Sequence, residues 1–110
     1  MQKKRIGIFG GSFDPIHTGH LLICNIIKEE LKLDKVVFVP AYRSPHKEVS
    51  KFTSPQIRYE MVKLAIEDNE GFDISDYEIK QSRSVYSIET IDHMQQAYPK
   101  SELFLILGLD

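Results

Sequence analysis

The sequence lacks tryptophan and has a single cysteine, Cys24. One cysteine excludes an internal disulfide and agrees with a reducing compartment. No apolar run approaches the roughly 20 residues of a membrane-spanning helix, and no signal-peptide pattern precedes the first apolar run. The formal net charge of -2 gives no general attraction to nucleic acid or to an anionic membrane. We therefore expect a cytoplasmic protein without nucleic acid or membrane partners.

A length of 110 residues allows one domain with a modest core, which we assign to residues 1–110. Internal repeats and low-complexity linkers are absent. The hydrophobic content of 42% is ordinary for a globular protein.

The most informative stretch, residues 10–20, has the sequence Gly-Gly-Ser-Phe-Asp-Pro-Ile-His-Thr-Gly-His. Residues 5–9 before it form a short apolar run that predicts a buried strand. Six apolar residues after it recur with helical spacing and predict the core face of a helix: Leu21, Leu22, Ile23, Ile26, Ile27 and Leu31. We expect a strand-loop-helix junction with Thr18 as N-cap. Adjacent glycines and the unpaired amides of the helix start suit a bound phosphate.

Two histidines belong to this junction, His17 just before the expected cap and His20 in the first turn. An imidazolium at either position would donate to phosphoryl oxygens and stabilise charge in a transition state. A His-x-x-His pair can also form half of a metal site. Four histidines and one cysteine with no second cluster at ligand spacing make a structural zinc a poor explanation.

Cys24 lies one helical turn after His20, so a nucleophile and its base are one interpretation of the pair. Cys24 also lies within an apolar helix, where a small buried thiol is the usual outcome. We expect the buried thiol.

Residues 36–39 form a continuous apolar run ended by Pro40, which predicts a second parallel strand and hence a right-handed βαβ unit. The following residues, 41–53, leave the same edge of the sheet as the histidine motif, where ligands of open α/β folds bind. His46 and Lys47 in this loop would meet phosphates. A solvated basic loop is the alternative.

The pair Ser54 and Pro55 predicts the start of a second helix. We expect Ile57, Met61, Leu64 and Ala65 to form its core face and Arg58 to lie on its surface. Alternation within residues 72–79 predicts a more exposed strand.

Ser87 is a candidate N-cap for a last helix that buries Ile88, Ile91, Met94 or Gln95, and Tyr98, and stops at Pro99. Residues 103–107 predict a final buried strand. Gly108 and Asp110 follow at its carboxyl end, where glycine permits close approach and an aspartate can accept from ribose hydroxyls or from water on a metal.

Residues 10–20 resemble the (H/T)xGH motif of the nucleotidylyltransferase superfamily and closely match its bacterial nicotinate-nucleotide adenylyltransferase branch. Pantetheine-phosphate adenylyltransferases and cytidylyltransferases share the motif, so it specifies the reaction type better than the substrate. Later segments are similar to the same branch. Residues 44–47 resemble its Pro-Pro-His-Lys loop, 58–61 its Arg-x-Glu-Met helix, 85–90 its Ser-Tyr-Thr-x-x-Thr segment and 108–110 its Gly-x-Asp.

This resemblance implies a Rossmann-like open parallel sheet that transfers the adenylyl group of ATP to nicotinate mononucleotide in NAD biosynthesis, with Mg²⁺ accompanying ATP. The catalytic residues would be His17 and His20. The nucleotide would meet Gly10, Gly11, Ser12, Phe13, Gly19, Gly108 and Asp110. The second substrate or its phosphate would meet His46, Lys47, Tyr86, Ser87 and Thr90, the last three through backbone groups at a helix start. A plain capping turn explains that helix start equally well.

Members of the branch continue past the Gly-x-Asp with a tryptophan-bearing segment and an Ile-Ser-Ser-Thr-x-Ile-Arg motif, which are absent here, so we expect the first part of a longer protein. Ser44 replaces a usual proline and Val85 a usual serine. The alternatives are an adenylyltransferase for nicotinamide mononucleotide or pantetheine phosphate, and a nucleotide-binding module without catalysis. The sequence does not determine the oligomeric state, and a homo-oligomer is one alternative.

Overall fold

A computed structural model describes residues 3–42 and 54–107. These residues form a four-stranded parallel sheet in the order β3-β2-β1-β4. In chain order the elements are β1 (Arg5–Gly11), α1 (Thr18–Glu30), β2 (Lys35–Pro40), α2 (Pro55–Ile66), β3 (Phe72–Ile74), α3 (Tyr77–Lys80), α4 (Ser87–Ala97) and β4 (Glu102–Ile106). The predicted Rossmann-like α/β class is confirmed.

The centre of the sheet is the pair β1 and β2, which run in register from Ile6 opposite Lys35 to Gly11 opposite Pro40. Residues 36–39 of β2 are at most 1% exposed, as the continuous apolar run predicts for a strand covered on both faces. Because every strand points the same way, the chain leaves each one at a single edge of the sheet. The starts of α1, α2 and α4 therefore lie along that carboxyl edge.

Two apolar cores cover the two faces of this sheet. On one face, α1 and α2 pack on the aromatic side chains of the strands, and the buried members include Phe9, Phe13, Cys24, Phe38, Val62 and Ile66. On the other face, Met94 of α4 packs on a smaller aliphatic set, Ile6, Ile8, Val37 and Val39.

The predicted core face of α1 is only partly correct. Leu21 and Ile27 pack against the core beside buried Cys24, whereas Leu22, Ile23 and Ile26 are at least half exposed. The apolar residues of this helix extend around most of its circumference, so spacing alone could not identify the buried side. Within the described ranges, no helix combines the length and apolarity needed to span a membrane.

The predicted core face of α2 is wrong, and that of α4 is wrong in part. The buried row of α2 is Arg58, Val62 and Ile66, and all four residues assigned to its core face are exposed: Ile57, Met61, Leu64 and Ala65. In α4, Thr90 and Met94 are buried while Ile88 is 65% exposed. The start of α2 is as predicted, with the Ser54 hydroxyl accepting from the Ile57 N–H at 3.2 Å and Pro55 in the first turn.

Two predicted strands differ from those observed. Residues 77–79 form the short helix α3 rather than strand, because the Ser75 hydroxyl accepts from the Tyr77 N–H at 3.2 Å and turns the chain. The strand β4 exists as predicted but is less buried, with Leu105 42% exposed. Within the described residues β4 pairs only with β1, so it lies at the edge of the sheet.

Candidate functional site

The start of α1 is built by the two histidines of the motif. His17, rather than the predicted Thr18, is the N-cap, and its ring Nδ1 accepts from the Gly19 N–H at 3.1 Å. His20, the third helical residue, returns the contact, since its Nδ1 accepts from the His17 N–H at 3.0 Å. The two imidazoles thus form a reciprocal capping box, an arrangement more familiar with serine and glutamate.

This hydrogen bonding determines how the rings can act. A ring nitrogen that accepts a hydrogen bond carries no proton, so each imidazole is neutral here and has its hydrogen on Nε2. The ring centroids of His17 and His20 lie 3.9 Å apart. Each ring therefore has its hydrogen on Nε2, and the two rings lie side by side at the helix start.

Gly19 provides the space for this arrangement. A Cβ at this position would lie 2.9 Å from Cε1 and 3.0 Å from Nδ1 of the His17 ring, distances that real Cβ atoms avoid. A side chain at position 19 would push the ring away from the amide it caps. Gly19 therefore contributes to the site by admitting the His17 ring.

The first turn of α1 has no acidic residue. Amide hydrogens at a helix start carry partial positive charge, and an acidic side chain in the first turn would neutralise it. With two neutral rings as caps, the positive end of α1 stays available to an anion.

The loop before α1 begins with two glycines that close β1. Among the described residues, a Cβ at Gly10 would meet only the Val39 carbonyl oxygen, at an ordinary contact distance of 3.9 Å. A Cβ at Gly11 would lie 3.4 Å from the Phe13 ring. The described residues therefore do not crowd Gly10, while Gly11 accommodates the aromatic side chain.

Phe13 is part of the core rather than of a ligand surface. Its side chain is 4% exposed, and its ring lies edge-on to those of Phe9 and His20 at centroid distances of 5.2 and 5.3 Å. Its φ of 50° is in the left-handed region, which costs energy for a residue with a side chain. Phe13 can therefore offer a ligand mainly its backbone.

Arg58 is buried, whereas its predicted position was on the surface of α2. Its side chain is 2% exposed, and its guanidinium donates to the Ser12 carbonyl at 2.6 Å and to the Tyr42 carbonyl at 3.0 Å. Burial lowers the pKa of Arg58, and the nearby carboxylate of Asp14 opposes that shift. The available signal was its spacing, because Arg58 precedes Val62 and Ile66 at intervals of one helical turn.

The start of α4 lies at the same edge of the sheet. Its N-cap is Tyr86 rather than the predicted Ser87, and the Glu89 carboxylate accepts from the Tyr86 N–H at 2.9 Å. Arg83 donates to the same carboxylate at 2.7 Å. The hydrogen bonds from Arg83 and from the Tyr86 backbone lower the pKa of Glu89 to about 2. Tyr86 is 78% exposed, and Ser87 is exposed beside it.

Thr90 lies beneath this helix start. It is buried, and its hydroxyl donates to the Glu78 carboxylate at 2.5 Å. Burial raises the pKa of Glu78, and the Thr90 hydrogen bond partly opposes the shift. The Thr90 side chain thus joins α4 to α3 and is turned away from the surface on which Tyr86 lies.

Cys24 is fully buried, and burial raises the pKa of its thiol to about 12. A thiol with such a pKa is not a nucleophile near neutral pH. The buried thiol expected from the apolar helix is confirmed.

The remaining predicted site residues, His46, Lys47, Gly108 and Asp110, lie outside the described residues. Among the residues that the structure does describe, no group of three or more His, Cys, Asp or Glu side chains could hold a metal ion. The described site is therefore one of hydrogen-bond donors and helix amides without a metal centre of its own.

A glycine-rich turn and a helix start at the carboxyl edge of a parallel sheet place this chain among the open α/β proteins that bind ligands at that edge. A family model described as cytidylyltransferase-like matches residues 8–110, so the chain belongs to that family.

Curated relatives are more specific. The chain is 46% identical over 107 residues to a protein of Desulfitobacterium hafniense strain Y51 and 52% identical to one of Clostridium botulinum strain Eklund 17B, both named probable nicotinate-nucleotide adenylyltransferase. Each match covers 97% of this chain and 52% of the relative. The chain thus spans about half the length of the curated relatives it matches.

Solved structures share the fold. A nicotinic acid mononucleotide adenylyltransferase of Plasmodium falciparum complexed with NaAD matches with a TM-score of 0.78 and 22% identity, over 96% of this chain and 52% of that one. The same enzyme complexed with APC matches with a TM-score of 0.75 and 21% identity, over 96% and 51%.

Proposed function

We propose that this chain carries the nucleotide site of a nicotinate-nucleotide adenylyltransferase. In that reaction a phosphate oxygen of nicotinate mononucleotide attacks the α-phosphorus of ATP. The bond from that phosphorus to the bridging oxygen of the β-phosphate breaks, which releases pyrophosphate and forms nicotinate adenine dinucleotide. The observation that carries the proposal is the acid-free start of α1, capped by His17 and His20.

This chemistry suits neutral donors. The attacking phosphate is already anionic at neutral pH, so no general base and no covalent intermediate on the protein are needed. The rate then depends on alignment and on stabilising the charge that moves onto pyrophosphate. The Nε2–H groups of His17 and His20 would donate to the phosphates of ATP, and the amides at the start of α1 would add their partial charge.

The glycine-rich turn would hold the rest of the nucleotide. Because Gly10 has no side chain, a phosphate or ribose would approach the backbone there, and the Ser12 and Phe13 amides would line the same turn. Gly108 and Asp110 would contact the ribose. Mg²⁺ would arrive with ATP and neutralise the leaving pyrophosphate, since this ion is commonly held by substrate phosphates and few protein groups.

The second substrate would lie between the segment bearing His46 and Lys47 and the start of α4. There the exposed Tyr86 and Ser87 can reach a ligand, and Thr90 would support the helix start from within. With these substrates, the reaction belongs in the cytoplasm and needs neither nucleic acid nor a membrane as a partner.

The test is pyrophosphate release by the polypeptide with ATP and Mg²⁺. Nicotinate mononucleotide, nicotinamide mononucleotide and pantetheine phosphate are supplied in parallel. We expect release with the nicotinate form only. Release with another acceptor would reassign the substrate.

A second candidate is a nucleotide-binding module without catalysis, because the described contacts are ring donors and helix amides that suit the binding of a phosphate. Calorimetric titration with ATP separates the two. Saturable binding without pyrophosphate release would support the module, and absence of binding would contradict both candidates.

A further inference from the structure

The guanidinium of Arg58 joins two backbone segments that follow different strands. Ser12 lies in the turn after β1, and Tyr42 lies two residues beyond β2, directly before the segment that contains His46 and Lys47. Both acceptors are carbonyl oxygens, and the side chain that bridges them comes from a third element, α2.

A buried charge at this position needs an explanation. The other two members of the buried row of α2, Val62 and Ile66, are aliphatic, and an aliphatic residue at position 58 would avoid the cost of desolvating a guanidinium. Arginine offers what an aliphatic side chain cannot, a planar fork whose two arms donate in fixed directions. The two carbonyl bonds use that fork.

The Ser12 carbonyl belongs to the same planar peptide unit as the Phe13 N–H. In a trans peptide, C=O and the following N–H point in opposite directions. Holding the Ser12 oxygen toward Arg58 therefore turns the Phe13 N–H away from α2. Phe13 has a φ of 50°, a conformation that persists only where its surroundings enforce it.

We propose that Arg58 is a positioning residue for the nucleotide: it fixes the Ser12–Phe13 peptide so that the Phe13 N–H is presented to a phosphate, and it couples this turn to the chain leaving β2. The inference deepens the proposed function and rests on it. Arg58 acts through the backbone and does not touch the phosphate.

The test compares Arg58→Lys and Arg58→Met with Arg5→Met. Arg5 is a matched control because its guanidinium also donates to a carbonyl, that of Leu31 at 2.9 Å, but at the opposite edge of the sheet. For each variant we would measure the ATP dissociation constant, the melting temperature and, without ligand, the backbone amide NMR shifts of residues 11–14.

Arg58→Lys keeps the charge and loses the fork, so we expect a folded protein that binds ATP roughly tenfold more weakly. This is the effect of losing one charge-assisted hydrogen bond, here the one from the Phe13 N–H to the phosphate. The amide shifts of residues 11–14 should move even without ATP. Arg5→Met should lower the melting temperature and leave both the affinity and these shifts unchanged.

Unchanged affinity in a folded Arg58→Lys, or an equal loss in Arg5→Met, would overturn the proposal. If the unmodified chain binds no ATP, the proposed function fails by itself. The ligand-free shifts then decide the role of Arg58, because an unmoved Phe13 amide in Arg58→Lys refutes the positioning. Arg58→Met removes both the charge and the fork, so it should weaken ATP binding at least as much as Arg58→Lys. If Arg58→Met does not fold, the result for Arg58→Lys alone tests the proposal.

Discussion

Two of the helix starts along the carboxyl edge of this sheet, those of α1 and α4, have a hydrogen-bond acceptor at the same position but differ in electrostatics. At α1, the His20 ring accepts from the N–H of the cap residue His17 at 3.0 Å. At α4, the Glu89 carboxylate accepts from the N–H of Tyr86 at 2.9 Å. The acceptor is the third helical residue in both.

The difference is the charge of the acceptor. A carboxylate at the third position, paired with Arg83, offsets the positive end of α4 within the protein itself. At α1, neutral imidazoles accept from the cap N–H of His17 and from the Gly19 N–H, and they leave the positive end of the helix for an anion from outside. The cap of α4 therefore offsets the positive end of its helix, whereas the cap of α1 leaves that positive end available to a phosphate.

The largest effect that tests this comparison is expected from His17→Asn. Asparagine is a good N-cap, so the melting temperature should change little, but the Nε2–H donor is lost. Pyrophosphate release should fall roughly 100-fold, as for removal of one donor to a developing oxyanion. Steady-state release measured alongside thermal melting checks this. Near-normal release would mean that His17 only caps the helix.

A smaller effect is expected from replacing His20 of α1 with glutamate, the residue that accepts from the cap N–H at α4. Both His20→Glu and His20→Gln place a hydrogen-bond acceptor at the third position, and they differ only in charge. His20→Glu should be at least as stable as His20→Gln, because the carboxylate favours a helix start by about 0.3–1 kcal/mol. It should bind ATP roughly tenfold more weakly, since two anions then share one site. Equal ATP affinities in calorimetry would show that charge at this position is irrelevant.

The smallest effect is expected from Glu89→Gln at α4. The pKa of Glu89 is about 2 in the folded protein and 4.5 ordinarily, so its carboxylate stabilises the fold above about pH 4.5, and this contribution is lost as the pH falls toward 2. The variant should melt slightly lower than the unmodified chain at pH 7. The gap should close on acidification.

Melting curves of both proteins between pH 2 and pH 7 provide the measurement, because this range runs from the folded pKa of Glu89, about 2, to well above its ordinary value of 4.5. Glu78 titrates in the opposite sense, because burial raises its pKa, but both proteins contain it and its contribution cancels in the difference. ATP affinity should be the same in both. A gap that stays constant with pH would refute the role given to the Glu89 charge.

Much of the fold follows from short-range signals in the sequence. The apolar run at residues 36–39, the pair Ser54 and Pro55, and Pro99 after α4 each act through local chemistry, and each predicted feature is present. The side of a helix that faces the core is a different problem. It depends on which residues of the sheet face the helix. Arg58 is on the buried side of α2 and Leu22 is on the exposed side of α1, which is the reverse of the simplest hydrophobic pattern.

The candidate site was predictable to a similar depth. Glycines, a helix start and two histidines in residues 10–20 indicate phosphate chemistry. The hydrogen bonds from the His17 N–H to the His20 ring and from the Gly19 N–H to the His17 ring required coordinates, because they depend on ring orientations that spacing does not determine. The carbonyl contacts of Arg58 were equally hidden, since Ser12 lies 46 residues away in the chain.

The burial of Cys24 has a practical consequence. It is the only thiol in the sequence and lies one turn beyond His20, sealed beneath α1. A thiol reagent can react with it only when the core beneath α1 opens, so the labelling rate reports openings of that part of the fold. A nucleotide that holds the helix start should slow the labelling, which gives a binding assay that needs no turnover and no engineered probe.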